Sequence, residues 1–184
     1  MPRGSASYER ELRSLLAGDA DALKSYGKTL TPADRTVLAK LERAPFLVVR
    51  AAGSLGFDLV ALRSEFAFPI EVKASHGETI LFSAASGRAS QQLEAHRRAV
   101  DRVGLLVIYA FRRVGWRDGD PWRLFVPDST VPLGRLKYLY HHIPRIERTR
   151  DGNGALRWEK GQSLVQFLRT VLELTSPPTD LGAE

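Results

Sequence analysis

The sequence predicts an α/β fold in which a mixed β-sheet is flanked by helices within one domain. Three observations predict it. Apolar residues recur at helical spacing near both ends of the chain and again at 88–104. Short runs rich in Val, Leu, Ile and Phe, bounded by Gly, Pro and Ser, lie between them. The two kinds follow in the order helix, helix, three strands, helix, two strands, a less regular stretch and a closing helix, which suits a mixed sheet covered by helices.

The first helix is expected over 7–17, capped by Ser7, with Leu12, Leu15 and Leu16 as its stripe and Tyr8 a turn earlier. Glu9 and Arg13 form an i,i+4 pair beside that stripe. Residues 18–28 read as a loop with at most one helical turn. The second helix has Thr31 at its N-cap, Pro32 at N1, Asp34 in the first turn, and Pro45 as its stop. Strands are expected at 46–50, 57–62 and 67–74, with Pro69 marking an irregular or edge position. Residues 75–87 read as a polar loop. A helix follows to Gly104, with Ala89, Leu93, Val100 and Val103 on one side. Strands at 105–113 and 122–127, a short helix at 133–140, a hairpin around "DGNG" and a closing helix at 163–174 complete the order. The end, 175–184, is expected to be a disordered tail.

With 184 residues, 43% hydrophobic and 26% charged, the chain can bury a sizeable core and matches ordinary globular composition. Its longest apolar run, "VGLLVIYAF", is too short to span a bilayer. The opening residues lack an apolar signal core, so no membrane partner and an intracellular, cytoplasmic location are expected. There is no cysteine, which excludes disulfides and thiolate metal sites. Net charge is +6 and the pI is near 9.9, as for proteins that bind polyanions. Arg makes up 21 of the 27 basic residues, and its planar fork suits phosphate. A GC-rich coding sequence would also favour Arg.

The most informative stretch is "GFDLVALRSEFAFPIEVKASHG", residues 56–77. Alternate residues of a strand share a face, so Glu71 and Lys73 point one way and Ile70 and Val72 the other. The carboxylate and the ammonium then lie roughly 6–7 Å apart along the strand. A short turn between the two strands brings Asp58 beside Glu71. Two converging carboxylates repel each other unless a cation lies between them, and hard oxygen ligands select Mg²⁺, with Mn²⁺ as substitute. Lys73 would orient a water or neutralise phosphate charge. These parts fit metal-assisted phosphodiester hydrolysis, although an isolated E-x-K on a strand is most often a surface ion pair.

The runs "YERELRSLL", "FLVVRAAGSLGFDLVA", "IEVKAS", "QLEAHRRAVDRVGLLVIYAFRRVGWR" and "SLVQFLRTVL" come in the order seen in archaeal-type Holliday junction resolvases of the PD-(D/E)XK nuclease superfamily, which this sequence resembles. The resemblance covers residues 5–16, 46–126 and the closing helix. It implies a restriction-endonuclease-like sheet and a homodimer that nicks opposed strands of a four-way DNA junction. It further implies an active site of Glu9, Asp58, Glu71 and Lys73, with Ser54 in the preceding loop and Glu9, Asp58 and Glu71 as metal ligands. Arg10, Arg50 and Gln92 match positions that assist DNA binding or catalysis, and Arg13, Arg112 and Arg113 are counted with the DNA-contacting set. The residues alone do not separate Glu9 from Glu11 or Gln92 from Gln91, and Ser54 reads equally as a turn residue.

The chain departs from the family pattern at about 18–45 and again at about 117–150. The first segment is expected beside the active site or along the substrate groove. The second carries Lys137, Tyr138, Tyr140, His141, His142, Arg145 and Arg148, which read either as a DNA contact or as solvated surface. Two rival functions stand beside junction resolution. One is another repair or restriction-like nuclease on this fold. The other is a non-catalytic DNA-binding protein, which would have no need of Asp58, Glu71 and Lys73.

Overall fold

A computed structural model describes residues 5–51, 56–83 and 87–175. Helix α1 spans Ser5–Leu16, so Ser7 lies inside its first turn rather than capping it. The segment expected to be mostly loop forms a helix, α2 (Ala20–Tyr26), followed by a 3-10 turn at Gly27–Thr29. Its signal is the cap: Asp19 Oδ1 accepts from the Ala22 N–H at 2.8 Å. Helix α3 (Pro32–Arg43) starts as its sequence demands, with Thr31 Oγ1 accepting from the Asp34 N–H at 3.2 Å.

The strands are β1 (Leu47–Arg50), β2 (Leu59–Arg63), β3 (Phe66–Ser75), β4 (Thr79–Phe82), β5 (Ile108–Arg113), β6 (Trp122–Phe125), β7 (Glu147–Arg148), β8 (Gly154–Arg157) and β9 (Gln162–Ser163). Helices α4 (Arg88–Val103), α5 (Arg135–His142) and α6 (Leu164–Thr175) complete the order. The main sheet runs β1-β2-β3-β5-β6-β9, with β3 and β5 parallel and the other neighbours antiparallel. The expected mixed sheet flanked by helices is what the chain forms. A second sheet, β4-β8-β7, pairs the expected DGNG hairpin with a strand from the segment read as a loop.

Pro69 sits where β3 has one neighbour. It pairs with Val60 of β2, and the β5 register starts one residue later at Ile70. The expected edge position is therefore local to the first half of a strand whose second half is central.

Strand alternation divides the apolar residues between the two faces of the sheet. Leu59, Ala61, Phe66, Phe68, Ile70 and Val72 share one buried cluster with α1, α3 and α6. Leu23, Val37, Leu38 and Leu41 belong to that cluster, so the 18–45 segment packs behind the sheet and not beside Glu71 and Lys73. On the other face Phe57, Tyr109, Phe111 and Phe125 pack with Phe82, Leu156 and the α4 residues Ala89, Leu93 and Val100. Val103, expected on that side of α4, is 65% exposed, and His96 is the buried residue there instead. The 117–150 stretch supplies β6 to the main sheet. Within it Tyr140 is buried and its hydroxyl donates to Ser129 O at 2.7 Å. Arg145 lies 3.6 Å from the Tyr140 ring centroid and donates to the Ile143 carbonyl, so these two residues serve packing.

Among the described residues no helix is long and apolar enough to cross a membrane. Residues 176–184 of the expected tail lie outside the described residues, and Thr175 ends α6.

Phe68 is fully buried at the start of β3, with its ring centroid 5.5 Å from Phe66, 6.4 Å from Phe46 and 5.4 Å from Phe167. Phe68→Ala is expected to lower the unfolding free energy by about 3–5 kcal/mol in urea titration.

Candidate active site

The β2–β3 hairpin places Asp58 one residue before β2, opposite the middle of β3. Its N–H donates to the Ile70 carbonyl at 3.0 Å, and its carbonyl accepts from Ala51 at 3.1 Å. Its Oδ2 accepts from the Val72 N–H at 2.7 Å. The Asp58 carboxylate is thus anchored to the residue between Glu71 and Lys73.

Glu71 is 3% exposed and lies in register with Tyr109 of β5. Its Oε1 accepts from Lys73 Nζ at 2.6 Å and from Gln92 Nε2 at 3.0 Å. Its Oε2 is buried and has no hydrogen-bond partner among the described residues. Burial raises the Glu71 pKa above the ordinary carboxylate range. The Lys73 hydrogen bond and charge oppose the rise, and the Asp58 charge adds to it. An acidic oxygen in that condition is either a costly defect or one half of a cation site.

Gln92 uses all its polar atoms here. Its Nε2 donates to Glu71 Oε1 and to the Gly56 carbonyl, at 3.0 and 3.1 Å, and its Oε1 accepts from Lys73 Nζ at 3.4 Å. Gln91 is exposed, so the sequence ambiguity resolves by geometry. Glu9 and Glu11 separate similarly. Glu11 Oε1 accepts from Arg112 Nε at 3.0 Å and Trp122 Nε1 at 3.1 Å. Glu9 instead faces the end of β1, with Oε2 3.5 Å from an Arg50 guanidinium nitrogen. Arg50 pairs in register with Leu59, the residue after Asp58, which puts Glu9 at the Asp58 end of the sheet.

Among the described residues, however, no group of three or more His, Asp or Glu side chains is arranged to hold a metal ion. The set that fits a hard cation is the pair Asp58 and Glu71, with the unpartnered Glu71 Oε2 as its open acceptor. Two carboxylates, waters and a phosphate oxygen suffice for Mg²⁺.

Arg10 and Arg13 are exposed on α1. Arg112 and Arg113 are engaged within the fold. Arg112 is held by Glu11 between the rings of Tyr8 and Trp122, at 5.8 and 6.0 Å. Arg113 pairs with Glu78 at 2.7 Å over the Trp116 ring at 4.5 Å. The reason is local: Trp116, Trp122 and Trp158 surround the end of β5 and take up the cations. Ser54 lies outside the described residues.

Sequence reasoning missed His96 and Tyr109. His96 is 2% exposed, with Nδ1 2.8 Å from the Tyr109 hydroxyl and Nε2 2.8 Å from the Gly56 carbonyl. Its ring stacks on Phe57 at 4.1 Å. Burial lowers its pKa, and the Lys73 charge acts the same way against the Gly56 bond and Asp58. The available signal was a histidine on the apolar stripe of α4.

The raised Glu71 pKa makes the charged carboxylate a stability cost. That cost grows as pH rises from the unfolded to the folded pKa and is complete above the folded pKa. Glu71→Gln is therefore expected to melt higher than the parent at pH 7 without divalent cations. The gap should close as pH falls through the carboxylate range. An equal or lower melting temperature at pH 7 would contradict it.

No family model matches the chain, and none of the curated proteins matches it. Among solved structures, it is similar to the 1.6 Å structure of Hjc from Archaeoglobus fulgidus, a Holliday junction resolvase from an archaeal hyperthermophile. That similarity has 20% sequence identity and a TM-score of 0.47, and covers 74% of this chain and 92% of that chain. A likeness of this size says nothing about what this chain acts on.

Proposed function

We propose that this chain is a Mg²⁺-dependent, structure-selective DNA endonuclease that resolves four-way junctions by paired phosphodiester hydrolysis. The observation that carries the nuclease reading is the buried Glu71 Oε2, unpartnered among the described residues, with Asp58 anchored at Val72 and Lys73 bonded to the other Glu71 oxygen. The resemblance of "YERELRSLL" and "VVRAAGSLGFDLVA…IEVK" to junction resolvases supports the substrate.

Asp58 and Glu71 would hold Mg²⁺, with Mn²⁺ as substitute and Glu9 supporting from α1. A bound cation supplies Lewis-acid polarisation of the phosphate and a lowered pKa for attacking water. Lys73, with 26% of its side chain exposed, lies between the buried carboxylate and solvent. From there it orients the attacking water or neutralises charge building on the phosphate. In-line attack leaves a 5′-phosphate and a 3′-hydroxyl. A homodimer presents two such sites to the two-fold symmetry of a junction. The exposed Arg10 and Arg13, together with Arg50, supply phosphate contacts, so affinity falls steeply with salt.

A second reading is a nuclease of the same superfamily acting on another DNA structure. The engagement of Arg112 by Glu11 and of Arg113 by Glu78 supports it, since these two expected junction contacts also serve the fold.

With Mg²⁺, the purified protein is expected to cut a mobile four-way junction in preference to linear duplex or flap. Equal cutting of all three supports the second reading. Asp58→Asn and Lys73→Ala are expected to lower cutting at least about a hundredfold while junction binding persists. Full activity in either would sink the site. Arg10→Ala is expected to flatten the log–log salt dependence of DNA binding by roughly one unit per lost phosphate contact, whereas Arg112→Ala lowers thermal stability and leaves that slope unchanged.

A further inference from the structure

We propose that His96, locked by Tyr109, is a positioning residue that fixes the Gly56–Asp58 turn and so sets the spacing of the Asp58 and Glu71 carboxylates. This rests on the metal-site reading above and adds residues that neither the charge pattern nor the family resemblance assigns.

Gly56 has φ +75°, a conformation that side chains rarely adopt. A Cβ there would lie 3.1 Å from His96 Nε2, so the backbone approaches α4 where only glycine fits. Its carbonyl accepts from Gln92 Nε2 at 3.1 Å and meets His96 Nε2 at 2.8 Å. Gln92 and His96 are one helical turn apart, so two successive turns of α4 grip one carbonyl oxygen. Asp58 follows two residues later.

The proton positions follow from the partners. A carbonyl only accepts, so His96 Nε2 carries the hydrogen. In the neutral ring Nδ1 is then an acceptor, and it takes the Tyr109 hydroxyl proton across 2.8 Å. Tyr109 is fully buried and registers with Glu71 on the neighbouring strand. The chain of contacts therefore runs from β5 through α4 to the turn before β2. It fixes the Asp58 turn relative to the strand that carries Glu71. Phe57 stacked on His96 excludes water from the path.

The test uses Mn²⁺ alone as probe, with amide hydrogen exchange on the metal-free protein. His96→Phe keeps an aromatic ring against Phe57 and removes both nitrogens. It is expected to speed exchange at the Asp58 amide, weaken Mn²⁺ binding about 10- to 100-fold, and lower kcat in parallel with KM for DNA unchanged. His96→Gln retains an N–H donor and is expected to recover part of the affinity. Tyr109→Phe removes one hydroxyl from the chain and should shift both readouts the same way, by less. Wild-type exchange and Mn²⁺ affinity in His96→Phe would overturn the proposal. If that variant does not fold, the same result in Tyr109→Phe overturns it. Parent protein that neither binds Mn²⁺ nor cuts DNA overturns the nuclease reading instead, and the exchange measurement still decides the clamp.

Discussion

The site depends on one buried carboxylate. Glu71 is dehydrated beneath α4 and beside β5, and its two oxygens are treated unequally. One takes two hydrogen bonds, from Lys73 and Gln92, and the other takes none among the described residues. A structural ion pair would be served by satisfying both oxygens, because an unpaired buried acceptor costs about 1–3 kcal/mol. On the proposed reading the asymmetry is binding capacity, with the fold giving up some stability to hold that oxygen for a cation.

Around that carboxylate the two faces of the sheet divide their work. Ile70 and Val72 join α1, α3 and α6 in the larger apolar cluster, which fixes β3 in place. Glu71 and Lys73 face the smaller cluster, where Gln92 engages both its nitrogen donors and its oxygen and His96 bridges Gly56 and Tyr109. The 18–45 segment thickens the first face. Its contribution is support for the sheet from behind.

The hairpin and its charged residues were legible because strand alternation is local: "IEVK" alone assigns each side chain to a face. The caps of α3 and the αL glycine ending α4 were legible for the same reason. What was missed depends on distant partners. Strand β4 looks like loop because its partner, β8, lies some seventy residues on, and a four-residue strand carries little pattern of its own. Arg112 and Arg113 were counted with the DNA contacts. Glu11 and Glu78, far back in the chain, pair with them over nearby tryptophan rings. His96 carried a weak signal, and only the fold shows that its partners are a backbone carbonyl and a hydroxyl on the next strand.

The parallel pairing of β3 with β5 has a kinetic consequence. Asp58 and Glu71 meet through a hairpin, a closure of a dozen residues, whereas Gln92, His96 and Tyr109 arrive only after the long β3–α4–β5 crossover closes. Non-local pairing of this kind is slow because the loop entropy is lost before the contacts form. This topology leads to the expectation that the carboxylates come together while still hydrated, their repulsion becoming costly when α4 is seated and its hydrophobic gain is there to offset it.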